Sequence, residues 1–160
     1  MTSRRTAAPA AAARATPKAE LTLEIVPGLL AVCRLAPTQG VPEWVLGLPF
    51  WSITRTEDEL SIVLPEALAS PTWRQETGFR ALKVRGPLDF ALIGVMARLT
   101  RPLAEARVSI IAISTFDTDY VLVRDSDLAR AVDALQQAGC AVAGGSLPVD
   151  RSRPISPRGR

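Results

Sequence analysis

The side chains that carry most enzyme chemistry are nearly absent from this chain of 160 residues. It contains no histidine, which removes Ser-His-Asp and Cys-His catalysis and most transition-metal sites. Its two cysteines, Cys33 and Cys140, lack CxxC spacing and sit in apolar, strand-like runs. Each therefore reads as a buried, reduced thiol in a cytoplasmic protein. Lysine occurs only at Lys18 and Lys83. Acid–base chemistry would rest on carboxylates, and Asp89 with Asp119 is the single candidate pair. No phosphate-binding loop accompanies them. The chain reads as a non-enzyme, with neither metal nor cofactor.

Charge narrows the partners. The formal charge is +3, but Arg4, Arg5, Arg14, Lys18, Arg151, Arg153, Arg158 and Arg160 all lie near the two ends. Between residues 20 and 149 there are 11 basic and 15 acidic residues, a body of about −4. A bulk basic face for phosphates is missing from that body, which argues against nucleic acid as a partner. No apolar run approaches the roughly 18 residues a membrane helix needs. Arg14 interrupts what could be a signal core, so neither a membrane partner nor a secretory leader is expected. Residues 1–19, rich in Ala, Arg, Thr and Pro, and residues 148–160 read as disordered tails.

The elements that must position any site follow from periodicity. The body divides into a reduced half, 20–78, and a fuller half, 79–147, related by an imperfect repeat of about 60 residues. Leu23 to Val26 precedes Pro-Gly, and Leu82 to Arg85 precedes Gly-Pro. The run Ile53 to Val63 matches Ile113 to Val123; each is an apolar segment, an acidic turn and a second apolar segment, hence a hairpin.

In the fuller half, Phe79 to Arg85 alternates as a strand. Leu92, Met96, Leu99 and Leu103 recur on one face of a helix drawn from Leu88 to Ala106. Val108–Ser114 and Asp119–Arg124 make the hairpin. Asp125 or Ser126 caps a second helix with the stripe Leu128, Val132 and Leu135, closed by Gly139, and Cys140 to Val142 begins a last strand. The order βαββαβ predicts an α+β fold, a four-stranded antiparallel sheet with both helices on one face. The reduced half shows strands at Leu21–Val26 and Leu29–Leu35, a helical turn after Pro42, a hairpin of Phe50–Arg55 with Glu59–Leu64, and a short helix from Pro65. Such a sheet exposes apolar surface and needs the fuller half or a partner chain to cover it.

The segment Ile113-Ser114-Thr115-Phe116-Asp117-Thr118-Asp119-Tyr120-Val121-Leu122-Val123, with Gly86-Pro87-Leu88 and Gly94 upstream, resembles the ACT-domain family. Within it the likeness is to the CASTOR-like branch and its small bacterial tandem proteins, and covers roughly 20–147. The resemblance implies tandem ferredoxin-like halves and a free amino acid held where two ACT domains meet. It also implies a homodimer that works allosterically, on itself or on a separate amino-acid metabolic enzyme. The implied site is Thr115, Phe116 and Asp119 facing the stretch Asp89 to Val95 (Asp89, Leu92, Ile93, Gly94, Val95), with Ser109 and Ile110 as a further wall.

Those roles are chemically sound. Free N–H groups at the start of the helix after Pro87 suit a carboxylate. Asp119 offers an anion to the ammonium, Thr115 a hydroxyl or carbonyl, Phe116 an apolar cover, and Gly94 a close backbone approach. In arginine-sensing members of the branch an acidic side chain precedes the equivalent of Gly94. Here Leu92 stands there, so a small or apolar amino acid is expected rather than arginine.

Other readings stay open at this point. The sheets could serve only as a ligand-free assembly module, which an ion pair of Asp119 with Arg98 or Arg124 would favour. An enzyme would have to use Asp89 and Asp119. RNA binding would need exposed aromatics on central strands that read as aliphatic. Gly94 could serve only helix packing, and Asp117 and Asp119 only the turn.

Overall fold

The apolar run from Leu21 to Leu35 breaks at Pro27-Gly28, where Gly28 takes φ +86°, and so makes two strands. The computed structural model describes residues 20–144, so the tails expected at 1–19 and 148–160 lie outside the described residues. The first half contains β1 (Thr22–Ile25), β2 (Leu30–Leu35), a 3-10 turn at Glu43–Gly47, β3 (Ser52–Arg55), β4 (Leu60–Pro65) and a 3-10 turn at Glu66–Leu68. Then come β5 (Arg74–Val84), α1 (Val95–Glu105), β6 (Ile110–Ser114), β7 (Asp119–Arg124), a 3-10 turn at Asp125–Asp127, α2 (Leu128–Gln137) and β8 (Ala141–Ala143). The fold is α+β, with a reduced first half, as expected.

All eight strands belong to one sheet, and β5 is common to both halves. Its N-terminal part pairs with β2, from Arg74 opposite Arg34 to Phe79 opposite Leu30. Its C-terminal part lies between β1 and β7, with Val84 opposite Leu23 and Lys83 opposite Tyr120. Between these parts the register shifts, opposite the step from Leu30 to Val32. There Gly78 takes φ +74° and donates its N–H to Glu66 Oε2 at 2.7 Å. A bulge bends and twists a strand. The division expected between residues 78 and 79 falls on this bulge, inside one continuous strand.

The strand count of the fuller half differs from expectation. Its sheet is not four-stranded, because β1 lies between β5 and β8, antiparallel to the first and parallel to the second. Alternation shows which face of a strand is buried but not which neighbours it takes. The repeat is also offset by 59 residues in the hairpins rather than 60. Thr56 and Thr115 open equivalent turns, their N–H groups donating to the carbonyls of Glu59 and Thr118 at 2.9 and 2.8 Å. On that offset the buried Ile62, Val63 and Leu64 superpose on the buried Val121, Leu122 and Val123.

The first helix begins at Val95, seven residues later than the apolar spacing indicates. Backbone groups that a helix would use are spent elsewhere: the Leu88 N–H donates to the Asp117 carbonyl and the Leu92 N–H to the Asp89 carbonyl. Leu92 therefore leaves the stripe, while Leu99 and Leu103 are fully buried. At α2 neither Asp125 nor Ser126 is the cap; Asp127 holds that position without a capping bond and pairs with Arg130 at 2.5 Å instead.

Three apolar layers hold the sheet. Leu23, Leu82, Val84, Val121 and Val123 pack under Leu99, Leu103 and Leu135 of the helices. On the other face Leu30, Val63, Phe79, Ala81 and Leu122 form a layer between the two halves. The reduced half buries Cys33, Leu35, Val45, Ile62 and Leu64 together. Cys33 and Cys140 are free and buried, and burial pushes both thiols up, against a lowering by Arg98 at Cys140.

The tip of the β6–β7 hairpin is tied to the loop after β5. Buried Thr118 donates its hydroxyl to the Val84 carbonyl, and the Asp117 carbonyl accepts the Leu88 N–H at 2.8 Å. A Cβ at residue 86 would lie 2.6 Å from that Asp117 oxygen. Gly86→Ala should therefore push the hairpin from the loop and destabilise the protein by about 1–3 kcal/mol. Gly47→Ala, where a Cβ meets nothing within 4 Å, should change stability by less than about 0.5 kcal/mol. Denaturant midpoints of the two variants check this; equal midpoints would refute the clamp.

Candidate functional site

The same tie leaves a cleft of about 350 Å³ between the loop entering α1 and the β6–β7 hairpin. The loop side is built by local bonds. Asp89 Oδ1 accepts the Ala91 N–H at 2.9 Å, closing a turn that presents Phe90 at its tip. Gly94 takes φ +83° and its carbonyl accepts the Arg98 N–H at 3.0 Å, so α1 starts abruptly there. A Cβ on Gly94 would meet nothing within 4 Å. The glycine is thus required by its left-handed backbone and not by helix packing. Among the described residues no side chain caps α1; the N–H groups of Val95, Met96 and Ala97 have no partner within the helix, and these residues line the cleft at the end where a helix favours negative charge.

The hairpin side carries Ser114, Thr115, Phe116, Thr118 and Asp119. Ser114 Oγ donates to Asp119 Oδ1 at 2.5 Å across the last rung of the β6–β7 ladder. Among the described residues Asp119 makes no ion pair, and Arg124 is held by Glu76 at 2.6 Å. Thr115 spends its hydroxyl inside the turn, on the Thr118 carbonyl at 2.8 Å. Over the mouth, the rings of Phe90 and Phe116 tilt at 59° with centroids 5.2 Å apart. Both rings are more than three-quarters exposed.

Of the ten residues named from sequence, Asp89, Leu92, Gly94, Val95, Thr115, Phe116 and Asp119 line this cleft. Ile93 does not; it points outward, 89% exposed. Ser109 and Ile110 stand at the far end of β6, about 16 Å from the hairpin turn at 3.3 Å per residue. Ile110 packs against the helix layer there. Sequence reasoning missed Leu88, Phe90, Met96, Ala97, Ser114 and Thr118. A large aromatic in a polar turn was a legible signal for Phe90. Met96 was absorbed into the helical stripe, and Ser114 became visible only through its cross-strand partner.

Among the described residues no group of three or more His, Cys, Asp or Glu is placed to hold a metal ion. No helix there is long and apolar enough to cross a membrane. The two carboxylates of the cleft are each engaged locally, Asp89 by a backbone N–H and Asp119 by Ser114.

Residues 74–137 match the family model of the ACT domain, and residues 28–68 match a model described as an N-terminal domain. The chain is 32% identical over 107 residues to the cytosolic arginine sensor for mTORC1 subunit 1 of Rattus norvegicus, covering 61% of this chain and 32% of that protein. The chain thus spans about a third of the length of the curated relatives it matches. A crystal structure of a protein from Agrobacterium tumefaciens is similar with TM-score 0.74 and 35% identity, over 78% of this chain and 93% of that one. Aspartate kinase of Clostridium acetobutylicum, described as an allosteric enzyme, aligns at TM-score 0.56 and 12% identity over 73% of this chain and 34% of its own. That last likeness concerns the fold alone. Taken with the tied hairpin, the left-handed glycine before α1 and the cleft between them, these matches show that the chain belongs to the ACT-domain family.

Proposed function

We propose that the cleft binds a free amino acid and that the protein is a non-catalytic regulatory sensor. The observation that carries this reading is the pairing of opposite electrostatics across one small space. Uncapped N–H groups of α1 lie on one side, and Asp119 on the other, without an ion pair among the described residues. An α-amino acid carries a carboxylate and an ammonium a few ångströms apart, and the two walls match them in sign. One relative supports the reading by kind, since it is named an arginine sensor.

The apolar lining defines the ligand class. Leu88, Leu92, Val95 and Met96 border the cleft, and an arginine side chain would find no carboxylate at Leu92. A small or apolar amino acid is the proposed ligand. The protein works as a cytoplasmic homodimer, in which a second copy closes the cleft over the exposed Phe90, Ile93 and Phe116. Ile110 at the start of β6, with Ser109 just before it, then forms the wall contributed by the other copy. Ligand-dependent change in that dimer, acting on an amino-acid metabolic enzyme, is the regulatory step, and requires unequal ligand affinity in two states.

Thermal unfolding with each of the twenty amino acids at millimolar concentration tests the reading. A ligand at 100 times its dissociation constant should add about 2.7 kcal/mol, several degrees for a protein of this size. Asp119→Asn keeps an acceptor for Ser114 and removes the charge, so it should weaken the ligand about 10- to 150-fold while leaving the ligand-free midpoint nearly unchanged. No shift from any amino acid would move the reading to a ligand-free assembly module. Leu92→Glu should shift the preference toward arginine or lysine, as measured by the same scan; an unaltered ranking would show that Leu92 does not select the side chain.

A further inference from the structure

Two clefts meet at the C-terminal end of β6. Ser114 and Thr115 border the cleft described above and also a second one of about 290 Å³. The second opens on the seam between the halves: Phe50, Trp51 and Ser52 reach it from the reduced half, and Ile113, Ser114 and Tyr120 from the β6–β7 hairpin. The Phe50 and Tyr120 rings meet across the seam at 5.3 Å. Both pack against the buried layer of Phe79, Ala81 and Leu122. Trp51 stands beside them, 41% exposed.

The chemistry of this seam is distinct from that of the first cleft. None of its described lining residues is charged, and the nearest printed charge, the Lys83 ammonium, lies 5.8 Å from the Tyr120 ring centroid. It offers three aromatic rings and a few polar groups from Ser52, Ser114 and Tyr120. Sites for small molecules have this composition and lie preferentially between domains. Its volume admits a single-ring compound and no helix. An ionised ligand would lose its hydration there with no charged group among the described lining residues to replace it. Ring against ring favours a planar occupant.

We propose that the seam is a second ligand site, for an uncharged planar single-ring compound bearing one or two hydrogen-bonding groups, of the phenol class. Its occupant bears on the strand end that also carries the Ser114–Asp119 bond. Occupancy of the seam therefore changes ligand affinity in the first cleft, and the effect is reciprocal. This coupling rests on the amino-acid reading of the first cleft; the seam site does not.

The probe is p-cresol, titrated into the isotope-labelled full chain and followed by nuclear magnetic resonance. The indole N–H signals of Trp44, Trp51 and Trp73 are assigned through single Trp→Phe variants. The Trp51 signal and the Ser114 amide should move and saturate while Trp44 and Trp73 stay in place. Trp51→Ala should weaken p-cresol about tenfold, read at the Ser114 amide. Parallel, unsaturated drift of all three indoles, or no movement at all, would overturn the site. The dissociation constant of an amino acid found in the thermal scan should change about fivefold or more when p-cresol is saturating. An unchanged constant removes the coupling and leaves the seam site standing. Because the titration is read without any amino acid, a chain that binds none still decides whether the seam is a site.

Discussion

Backbone pairing along β5 is the interaction on which the other parts depend, because one strand of 11 residues serves two half-sheets. Its first part completes the sheet of the reduced half through β2, and its second part centres the fuller half between β1 and β7. The side-chain period of two then distributes its residues. Leu82 and Val84 go under the helices, while Phe79 and Ala81 go to the layer between the halves. A slip of one residue would exchange those sets and unmake both layers at once. The bulge at Gly78 lets the strand change direction without losing either partner.

The proposed site hangs on the ends of that strand and its neighbours. Where β5 stops, Gly86 lets the chain pass against the Asp117 carbonyl, and Thr118 pins the neighbouring hairpin to Val84. The cleft is what these ties leave open, and the groups proposed to bind there are ones that interior packing does not consume. Helix N–H groups are unsatisfied by the geometry of any helix start. Asp119 is the terminal residue of its strand, beyond the last cross-strand rung that buries apolar side chains. A rigid framework thus carries a rim of polar groups and two exposed rings, a common division between scaffold and site.

Much of this was legible in the residues. Period-two and period-3.6 patterns placed both hairpins and both helices, and the turn chemistry of Pro27-Gly28 and Gly86-Pro87 placed the breaks. Seven residues of the cleft were named because the hairpin and the loop each carry a local signature. The errors have a common cause. Leu92 and Met96 share a helical spacing, yet the Leu88 and Leu92 N–H groups go to the Asp117 and Asp89 carbonyls, and the helix starts late. The one-residue error in the repeat arose because acidic side chains were aligned, whereas the turns are opened by Thr56 and Thr115.

Taken alone, the sequence determined the composition-level facts. Histidine-dependent catalysis was excluded, the charge of the ends was separated from that of the body, and the fold class was set by apolar periodicity, which is a local property of the chain. Tertiary structure alone decided the insertion of β1 between β5 and β8, the sharing of β5, and the meeting of Phe50 with Tyr120 across the seam. Those depend on contacts between residues 37 or more positions apart. Strand edges present the same N–H and C=O groups to every candidate neighbour, so only the simultaneous burial of all three apolar layers selects among the pairings.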